Sequence, residues 1–322
     1  MYVGIDIGGT NIKSGVVDSS GKILLSKSFK TDSDAGPMPN LEKIKNTIIE
    51  LINQFSGILS IGIGVPGIVD REGFLNISPN LQNWHGINIH DELRKYFNLA
   101  IAVDNDANAA AIAEMEIGAG KDIDNFIYIT LGTGIGGAII INNKIFRGCD
   151  GGAGEIGHTI INFNDVKKDI PLFRQGTLEE MAGRNQIIQR MQKIITKYQF
   201  RITKKDKDFD IFKTGEFDVE DIANTANSGF QPAIDCLQQT GEIIGLGLSS
   251  AMNLLDVPVA IIGGGVSQAG DILFESIRQT IKQRALPTIT KKFEVREALF
   301  KNNTGIIGAA MLGANKLKEL ST

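Results

Sequence analysis

Short apolar runs separated by polar or glycine-rich turns open the chain, and this pattern is typical of strands. It predicts strands over 2–7, 12–17 and 22–29, which together form an antiparallel meander. Apolar residues between 41 and 55 then recur at the spacing of one helix face, and an apolar run over 58–65 returns to strand. A meander followed by alternating helices and strands predicts an α/β fold.

The same order of elements starts again in the middle of the chain. A strand at 100–103 and a helix over 107–117 complete the first series, and apolar runs over 126–131, 137–141 and 144–146 open the second. Each series opens with a strand, a glycine-rich turn, a strand, a polar turn and another strand. We interpret this as a structural duplication in which each copy begins one domain.

The repeated order predicts two domains with a hinge between them. The glycines of Gly118-Ala119-Gly120 permit such a hinge, so we expect an N-terminal domain over 1–118 and a C-terminal domain over 119–305. We expect the terminal helix, at about 306–320, to pack back on the N-terminal domain.

Longer helical patterns fill the second half of the chain. The spacing of apolar residues predicts a helix over 176–198, mostly helix over 219–255, a strand over 257–262 and a terminal helix over 305–320. The segment 200–217 mixes charges and aromatics and predicts no definite element.

Composition restricts the class of protein. The chain has 322 residues, 42% apolar and 22% charged, as in globular proteins with sizeable cores. A net charge of −4 argues against a nucleic-acid partner. No apolar stretch has the length of a membrane-spanning helix, and we expect neither a signal peptide nor a membrane partner. Cys149 and Cys236 form no CxxC pair, so we expect a reduced, cytoplasmic setting.

Two glycine-rich turns, each between apolar runs, carry the strongest chemical signal. Asp6-Ile7-Gly8-Gly9-Thr10-Asn11-Ile12-Lys13 closes the first strand, and Leu131-Gly132-Thr133-Gly134-Ile135-Gly136-Gly137 closes the strand over 126–131. Backbone N–H groups in such turns approach an anion closely, and the threonine hydroxyls add donors. Two facing turns would hold a polyphosphate between two domains. The residues to which we assign nucleotide contacts here are Gly8, Gly9, Thr10, Asn11, Lys13, Thr133 and Gly134.

Asp6 lies where the first strand enters its turn. A carboxylate beside a polyphosphate is unfavourable unless a cation lies between them, so we expect Asp6 to hold Mg²⁺ through water. The alternative is an aspartate that accepts local backbone N–H groups. The alternative for Lys13 is a solvated side chain. Further along, Gly264 and Gly265 follow a strand and would let a flat group lie on the backbone, although a plain strand–helix turn explains them equally.

Asp104-Asn105-Asp106 forms the second constellation, between an apolar strand and an alanine-rich helix. A helix N-cap accounts for one of these side chains but not for all three. A carboxylate at the carboxyl end of a strand is well placed to accept a proton from a hydroxyl. We assign Asp106 as the general base and Asn105 as a substrate contact. We expect Asp104 to point away, because neighbours on a strand alternate faces.

Further polar residues suit contacts to a polyol. Glu155 and His158 are three residues apart in a glycine-rich segment and can face one ligand, whereas a structural histidine is the alternative. Asn80 suits a hydroxyl, and we expect the neighbouring Trp84 to be a packing anchor rather than a stacking platform.

Taken together, these motifs resemble those of the ROK family of bacterial sugar kinases and repressors, over essentially the whole chain. The turns at 6–13 and 131–137 resemble its two phosphate loops, and Ile261-Ile262-Gly263-Gly264-Gly265-Val266 resembles its adenosine-side turn. The segment 104–114 resembles its catalytic segment, which supports Asp106 as the base. The segments 78–84 and 154–158 resemble its sugar-contact segments.

The resemblance implies the actin-like ATPase (ribonuclease H-like) fold, with two similar α/β domains around an interdomain cleft. It implies transfer of the γ-phosphate of ATP, with Mg²⁺, to a hexose hydroxyl, usually the 6-hydroxyl. Dimerisation is common in the family, so a homodimer is an open expectation. The residues that we expect to contact the sugar are Gly67, Asn80, Asn105, Asp106, Glu155, His158 and Glu179.

One departure from the family concerns zinc. The family usually has a zinc site built from the histidine of its Gly-His pair and a CxCGxxGCxE run. Here the comparable stretch, Ile170-Pro171-Leu172-Phe173-Arg174-Gln175-Gly176-Thr177-Leu178-Glu179, contains no cysteine. One histidine cannot complete a four-coordinate structural site, so we predict no zinc. We expect packing of Leu172 and Phe173 to hold the loop instead, with Glu179 still able to reach the sugar.

Several functions stay open. Glucose is the first choice of sugar, and N-acetylmannosamine, N-acetylglucosamine, fructose or a β-glucoside are alternatives. A non-catalytic sugar-sensing regulator is the rival class. We expect no DNA-binding domain, because Met1-Tyr2-Val3 leads directly into the first strand, and the presence of Asp106 favours a kinase. Asn80 together with Glu155 and His158 disfavours an acyl or activator ATPase.

Overall fold

Two five-stranded sheets with the same strand order organise the chain. A computed structural model describes residues 1–32, 35–78, 81–164, 169–198, 210–213, 215–301 and 303–321. The contacts between residues divide the chain into two units. Unit 1 contains Met1–Asn125, Ala138–Gly154 and Ala298–Thr322, and unit 2 contains Phe126–Gly137 and Glu155–Glu297. Unit 1 thus takes in Ala138–Gly154, from the early part of the segment 119–305 that we assigned to the second domain.

The described part of the first 125 residues contains eight strands and three α-helices. The strands are β1 (Tyr2–Ile7), β2 (Asn11–Val17), β3 (Ile23–Lys30), β4 (Ser60–Val65), β5 (Ile68–Val69), β6 (Phe74–Ile77), β7 (Ile87–Asn88) and β8 (Ala100–Asn105). The helices are α1 (Pro37–Gln54), α2 (Ile89–Arg94) and α3 (Asp106–Ile117). The first sheet has the order β3-β2-β1-β4-β8, antiparallel from β3 to β1 and parallel from β1 to β8.

The second sheet repeats this plan. Its strands are β9 (Phe126–Leu131), β10 (Ile135–Ile141), β11 (Lys144–Ile145), β12 (Val259–Gly263) and β13 (Glu294–Glu297). The order is β11-β10-β9-β12-β13, so the first strand of each series is central, with its two successors on one side and two later strands on the other. The predicted duplication is therefore confirmed. The chain passes from unit 2 to unit 1 within β10.

Helices cover most of the remaining described sequence. They are α4 (Leu178–Ala182), α5 (Arg184–Tyr198), α6 (Asp210–Lys213), α7 (Val219–Asn227), α8 (Gln231–Leu255), α9 (Asp271–Arg284), α10 (Pro287–Thr290) and α11 (Thr304–Ser321). In unit 2, α8 packs on α5, α7 and α9. No helix in these described stretches combines the length and the hydropathy that a membrane-spanning segment requires.

The core of unit 1 lies on both faces of its sheet. Val3, Ile5 and Ile7 alternate along β1 and are buried in one cluster with apolar residues of α1. The opposite face of β1 and β4 packs on α11. Glycines on that face allow the close approach, because a Cβ at Gly62 would overlap the α11 backbone. The sheet and its covering helices therefore approach closely enough to fix the end of β1, where Asp6 lies.

Most predicted elements are confirmed, one predicted helix is divided, and α2, α9, α10, β13 and a small sheet were not predicted. The helix predicted over 176–198 is two helices, α4 and α5, separated by Gly183. The small sheet β5-β6-β7 was not predicted, because two of its strands have only two residues and show no apolar period. Residues 199–209, most of the segment with no definite prediction, lie outside the described residues.

Candidate functional site

The first glycine turn is a closed reversal between β1 and β2. The N–H of Gly8 donates to the carbonyl of Asn11 at 3.0 Å, and the Thr31 hydroxyl donates to the carbonyl of Gly8 at 2.6 Å. The N–H of Thr31 donates to the carbonyl of Thr10 at 3.0 Å. Gly9 follows Gly8 in the turn, and the next two residues, Thr10 and Asn11, are exposed. The turn is therefore held from its strand side, and its polar tip faces solvent.

Asp6 is confined at the end of β1. It pairs in register with Lys13 of β2, and both residues line a cavity of about 330 Å³ together with Asn303. A Cβ at Gly305, near the start of α11, would overlap the Asp6 carboxylate. Burial raises the pKa of Asp6, and the charge of Lys13 acts in the opposite direction. The ionised carboxylate is thus costly here, and a nearby cation would reduce that cost.

Asn105 is the N-cap of α3. Its side-chain oxygen accepts the N–H groups of Ala107 at 2.8 Å and Asn108 at 3.2 Å, so the N-cap interpretation is confirmed for this residue. Its amide nitrogen donates to the carbonyl of Gly67 at 2.9 Å. Gly67 has φ +123°, and a Cβ there would overlap the Ile77 carbonyl. The predicted sugar contacts Gly67 and Asn105 therefore lie together, joined by a hydrogen bond.

Asp104 points away from solvent, as expected, whereas Asp106 lies beyond the end of β8 in the first turn of α3. Asp104 is buried, and its Oδ1 accepts the side-chain amide of Asn108 at 2.7 Å. Its Oδ2 accepts Nε of Arg147 at 2.9 Å, and Nη2 of Arg147 lies 2.7 Å away. Sequence reasoning missed Arg147, which no local motif marks. This arginine also lines a cavity of about 850 Å³ that contains none of the predicted site residues.

Asp106 is the first residue of α3 and is exposed. Its Oδ1 accepts the N–H of Ala107 at 2.9 Å. An acidic side chain at this position interacts favourably with the partial positive charge of the helix N-terminus. The carboxylate is therefore presented to solvent on a helix end whose cap and preceding aspartate are both anchored.

The segment 78–84 is described only in part. Asn80, a predicted sugar contact, lies outside the described residues. Trp84 is completely buried in the core of unit 1, which confirms it as a packing anchor.

The second glycine turn lies between β9 and β10 in unit 2. Within it, the N–H of Gly132 donates to the carbonyl of Gly134 at 2.9 Å, and Thr133 lies between them. Gly264, with φ +87°, packs so closely on Leu131 that a Cβ would overlap its backbone. A Cβ at Gly265 would meet nothing within 4 Å. The predicted adenosine-side glycines therefore lie beside the predicted phosphate turn, with open space over Gly265.

Ile135, directly after this turn, is contacted by two predicted sugar-binding segments. Its N–H donates to Oε2 of Glu179 at 2.9 Å. A Cβ at Gly157, between Glu155 and His158, would overlap the carbonyl of Ile135. The backbone of this one residue therefore brings Glu179 and the 155–158 segment to the end of the phosphate turn.

Glu155 and His158 lie side by side. His158 Nε2 is 3.9 Å from Glu155 Oε2, and both side chains are half-exposed. Burial raises the pKa of Glu155, His158 lowers it, and the charge of Glu179 raises it further. These three side chains form a single electrostatic cluster in unit 2.

The loop that replaces the family's zinc run is not held by the predicted packing. Leu172 is 82% exposed and Phe173 is 70% exposed, so the prediction that they anchor the loop is wrong. Apolar side chains anchor a loop only where another surface covers them, and within the described part of the chain these two side chains are largely uncovered. Polar contacts hold the loop instead: the Thr177 hydroxyl donates to the Arg174 carbonyl at 2.9 Å, and Nε2 of Gln175 donates to the Ile170 carbonyl at 2.7 Å.

Zinc does not fit the residues at this loop. The stretch 170–179, which resembles the family's zinc run, contains no cysteine or histidine, so it supplies none of the ligands typical of a structural zinc site. Among the described residues, no group of three or more His, Cys, Asp or Glu side chains is arranged to hold a metal ion.

Comparisons with known proteins agree with the geometry. The model of the ROK family matches residues 2–316. A glucokinase of Halalkalibacterium halodurans is 32% identical over 317 residues, covering 97% of this chain and 94% of the relative. A ROK family glucokinase from Streptomyces griseus, solved in complex with glucose and AMPPNP, is 28% identical with a TM-score of 0.77, covering 98% of this chain and 99% of that one. A xylose repressor of Bacillus subtilis is 27% identical, covering 99% of this chain and 78% of the repressor.

Proposed function

The chain belongs to the ROK family and has the actin-like ATPase fold of its sugar kinases, and from this premise we propose that it is an ATP-dependent hexose kinase. The observation that carries the proposal is the start of α3. There the exposed carboxylate of Asp106 follows a cap, Asn105, and a buried anchor, Asp104, that fix its position. A rigidly held carboxylate open to solvent suits the removal of a proton from a bound hydroxyl.

We assign the chemistry to named side chains. Asp106 accepts the proton of the sugar hydroxyl while the hydroxyl oxygen bonds to the γ-phosphorus, and the bond between this phosphorus and the β-phosphate bridging oxygen breaks. The N–H groups of Gly9 and Thr10 and the Thr10 hydroxyl in the first turn, and those of Thr133 and Gly134 in the second, supply donors to phosphate oxygens, while the N–H of Gly8 closes the first turn and lets phosphate approach its backbone.

Mg²⁺ fits the residue proposed to hold it, because Asp6 is a confined carboxylate whose ionised form is costly. A water-mediated contact through one carboxylate and substrate phosphates is a common mode for this ion. When bound, it would neutralise charge on the phosphates. Asn11 and Lys13 would contact phosphate beside it, and Gly264 and Gly265 would support the nucleoside.

Glucose is the substrate that we propose first. It is supported by the Halalkalibacterium relative, a glucokinase, and by the glucose bound in the Streptomyces structure. Gly67, Asn80 and Asn105 from the first unit's sequence, and Glu155, His158 and Glu179 from the second, are the proposed hydroxyl contacts. N-acetylmannosamine, N-acetylglucosamine, fructose and β-glucosides are the alternative substrates. For the oligomeric state and location we propose a homodimer in the cytoplasm.

A sugar-sensing regulator is the second candidate, because xylose repressors are also among the relatives. The two functions differ in turnover rather than in sugar binding. A coupled assay of ADP release with a panel of hexoses, xylose and no sugar separates them. A kinase releases ADP only with its hexose, whereas a regulator shows sugar-dependent thermal stabilisation and no ADP release.

Asp106→Asn is the control within the same assay. It should retain thermal stabilisation by the sugar and lose about 10²–10⁴-fold in kcat, the usual contribution of a general base. A variant with nearly normal kcat would refute the assignment of Asp106 while leaving the kinase itself in place.

A further inference from the structure

Arg174 joins two carboxylates at the start of α4. Its Nη2 lies 2.8 Å from Oε1 of Glu179 and 2.8 Å from Oε1 of Glu180. Glu180 is nearly buried, with 9% of its side chain exposed, and Glu179 is 22% exposed. Two adjacent carboxylates with so little contact with water need a compensating charge, and a guanidinium with several donors supplies one.

The opposite oxygen of Glu179 is fixed as well. Oε2 accepts the N–H of Ile135, and the carboxylate lies so close to Gly134 that a Cβ there would overlap it. Glu179 is therefore held between a side chain of the loop on one side and the backbone of the second glycine turn on the other. Leu172 and Phe173 of the same loop are exposed and do not take part in holding Glu179.

Through its position in the loop, Arg174 connects the loop to α4. It lies inside the stretch 170–179 that resembles the family's zinc run, and its carbonyl accepts the Thr177 hydroxyl that also caps α4. The loop is thus joined to α4 through both the backbone and the side chain of one residue. In a zinc site the metal would make this connection through its ligands.

We propose that Arg174 is a positioning residue that performs the connecting role of the absent zinc site and orients Glu179 for hexose binding. This inference rests on the proposed sugar kinase activity. It predicts that sugar affinity depends on one arginine and not on a bound metal at this loop. Glu179 would present a fixed acceptor to a sugar hydroxyl, and loss of Arg174 would release that acceptor without touching Asp106.

The experiment compares Arg174→Gln with wild type by steady-state kinetics at saturating ATP and Mg²⁺. KM for the hexose should rise about tenfold or more, as expected for losing a hydrogen bond to a charged group, while kcat changes less than about threefold. Arg174→Lys, which keeps the charge, should recover part of the affinity. Wild-type enzyme treated with a zinc chelator and returned to excess Mg²⁺ should keep its KM.

Two matched variants serve as controls. Glu180→Gln removes the other carboxylate of the same guanidinium and should raise KM much less than Arg174→Gln. Arg296→Gln removes an arginine from an exposed pair with Glu294 on β13 and should leave KM and kcat unchanged. A hexose KM for Arg174→Gln equal to that of Arg296→Gln would overturn the proposal, as would a chelator-sensitive KM in wild type.

A second readout keeps this test separate from that of the kinase activity. Chymotrypsin should cleave Arg174→Gln after Phe173 faster than wild type, because the loop loses its side-chain connection. If wild type phosphorylates a hexose and Arg174→Gln has unchanged KM, the inference fails and the function stands. If wild type phosphorylates no sugar, the proposed function fails, and equal cleavage rates in the two proteins would then refute the connecting role of Arg174.

Discussion

The carboxylate of Asp104 and the guanidinium of Arg147 form an ion pair of 2.7 Å in which Asp104 is almost completely buried. The same carboxylate accepts the side-chain amide of Asn108 in the first turn of α3. Arg147 comes from the segment after β11, 43 residues further along the chain. The pair therefore ties a distant segment to the helix start that carries Asp106.

Arg147→Met should destabilise the protein by about 3 kcal/mol, because it leaves the buried Asp104 carboxylate without its cation. Urea unfolding followed by far-UV circular dichroism measures this change. Lys316→Gln, which breaks an exposed pair with Glu319 in the same unit, should cost less than about 1 kcal/mol. Equal losses in the two variants would show that burial of Asp104 does not govern the energy of its pair.

Asn105 combines a cap with a link to Gly67, and two substitutions separate these roles. Asn105→Ser keeps a capping oxygen but loses the amide that donates to Gly67, whereas Asn105→Ala loses both. We expect Asn105→Ala to be less stable than Asn105→Ser by about 1 kcal/mol, the usual value of an N-cap, in urea unfolding. Identical stabilities would contradict the capping role. Both variants should raise the hexose KM, since both release Gly67 from the start of α3.

The charge of Asp6 should lower stability as pH rises. Burial raises the pKa of Asp6, so the folded protein retains this proton to a higher pH than the unfolded chain does. Wild type therefore loses stability as pH rises from ~4 through the folded pKa, and Asp6→Asn does not. The stability of Asp6→Asn relative to wild type should increase between pH 4 and pH 7, while its turnover falls because the proposed Mg²⁺ contact is lost.

Asp18 serves as a control, because its contribution to stability should change with pH in the opposite direction to that of Asp6. The Ser20 hydroxyl lowers the pKa of this exposed aspartate, so its contribution is present at neutral pH and lost as pH falls. Asp18→Asn should therefore be less stable relative to wild type at pH 7 than at pH 4. Parallel pH trends for the two variants would exclude the assigned cause for Asp6.

The two cysteines should differ in reactivity. Burial raises the pKa of Cys236 to about 12, and its thiol lies 3.6 Å from the Ile187 carbonyl, whereas Cys149 is exposed. Since the thiolate is the reactive form, a disulfide reagent should modify Cys149 alone in the folded protein and both thiols in urea. Cys149→Ser should show no rapid reaction. Modification of Cys236 at a similar rate would mean that its surroundings open readily.

The local sequence pattern predicted secondary structure correctly where a single strand or a single helix face determines it. The strands around both glycine turns follow from their short apolar runs, and the helix after Asn105 follows from its alanine-rich sequence. The same reasoning failed at Leu172 and Phe173. Their apolar character says that burial would be favourable, but not whether the fold brings a surface to cover them.

The sequence by itself determined the α/β class, the duplicated strand–turn–strand order, the two glycine turns and the candidate base, because each rests on residues close together in the chain. Only the tertiary structure decided which polar partner each buried charge has. Glu179 contacts Ile135 across 44 residues, and Arg147 reaches Asp104 across 43. Such partners are chosen by the packing of distant segments, where burial makes an unpaired charge costly, and no local period records that choice.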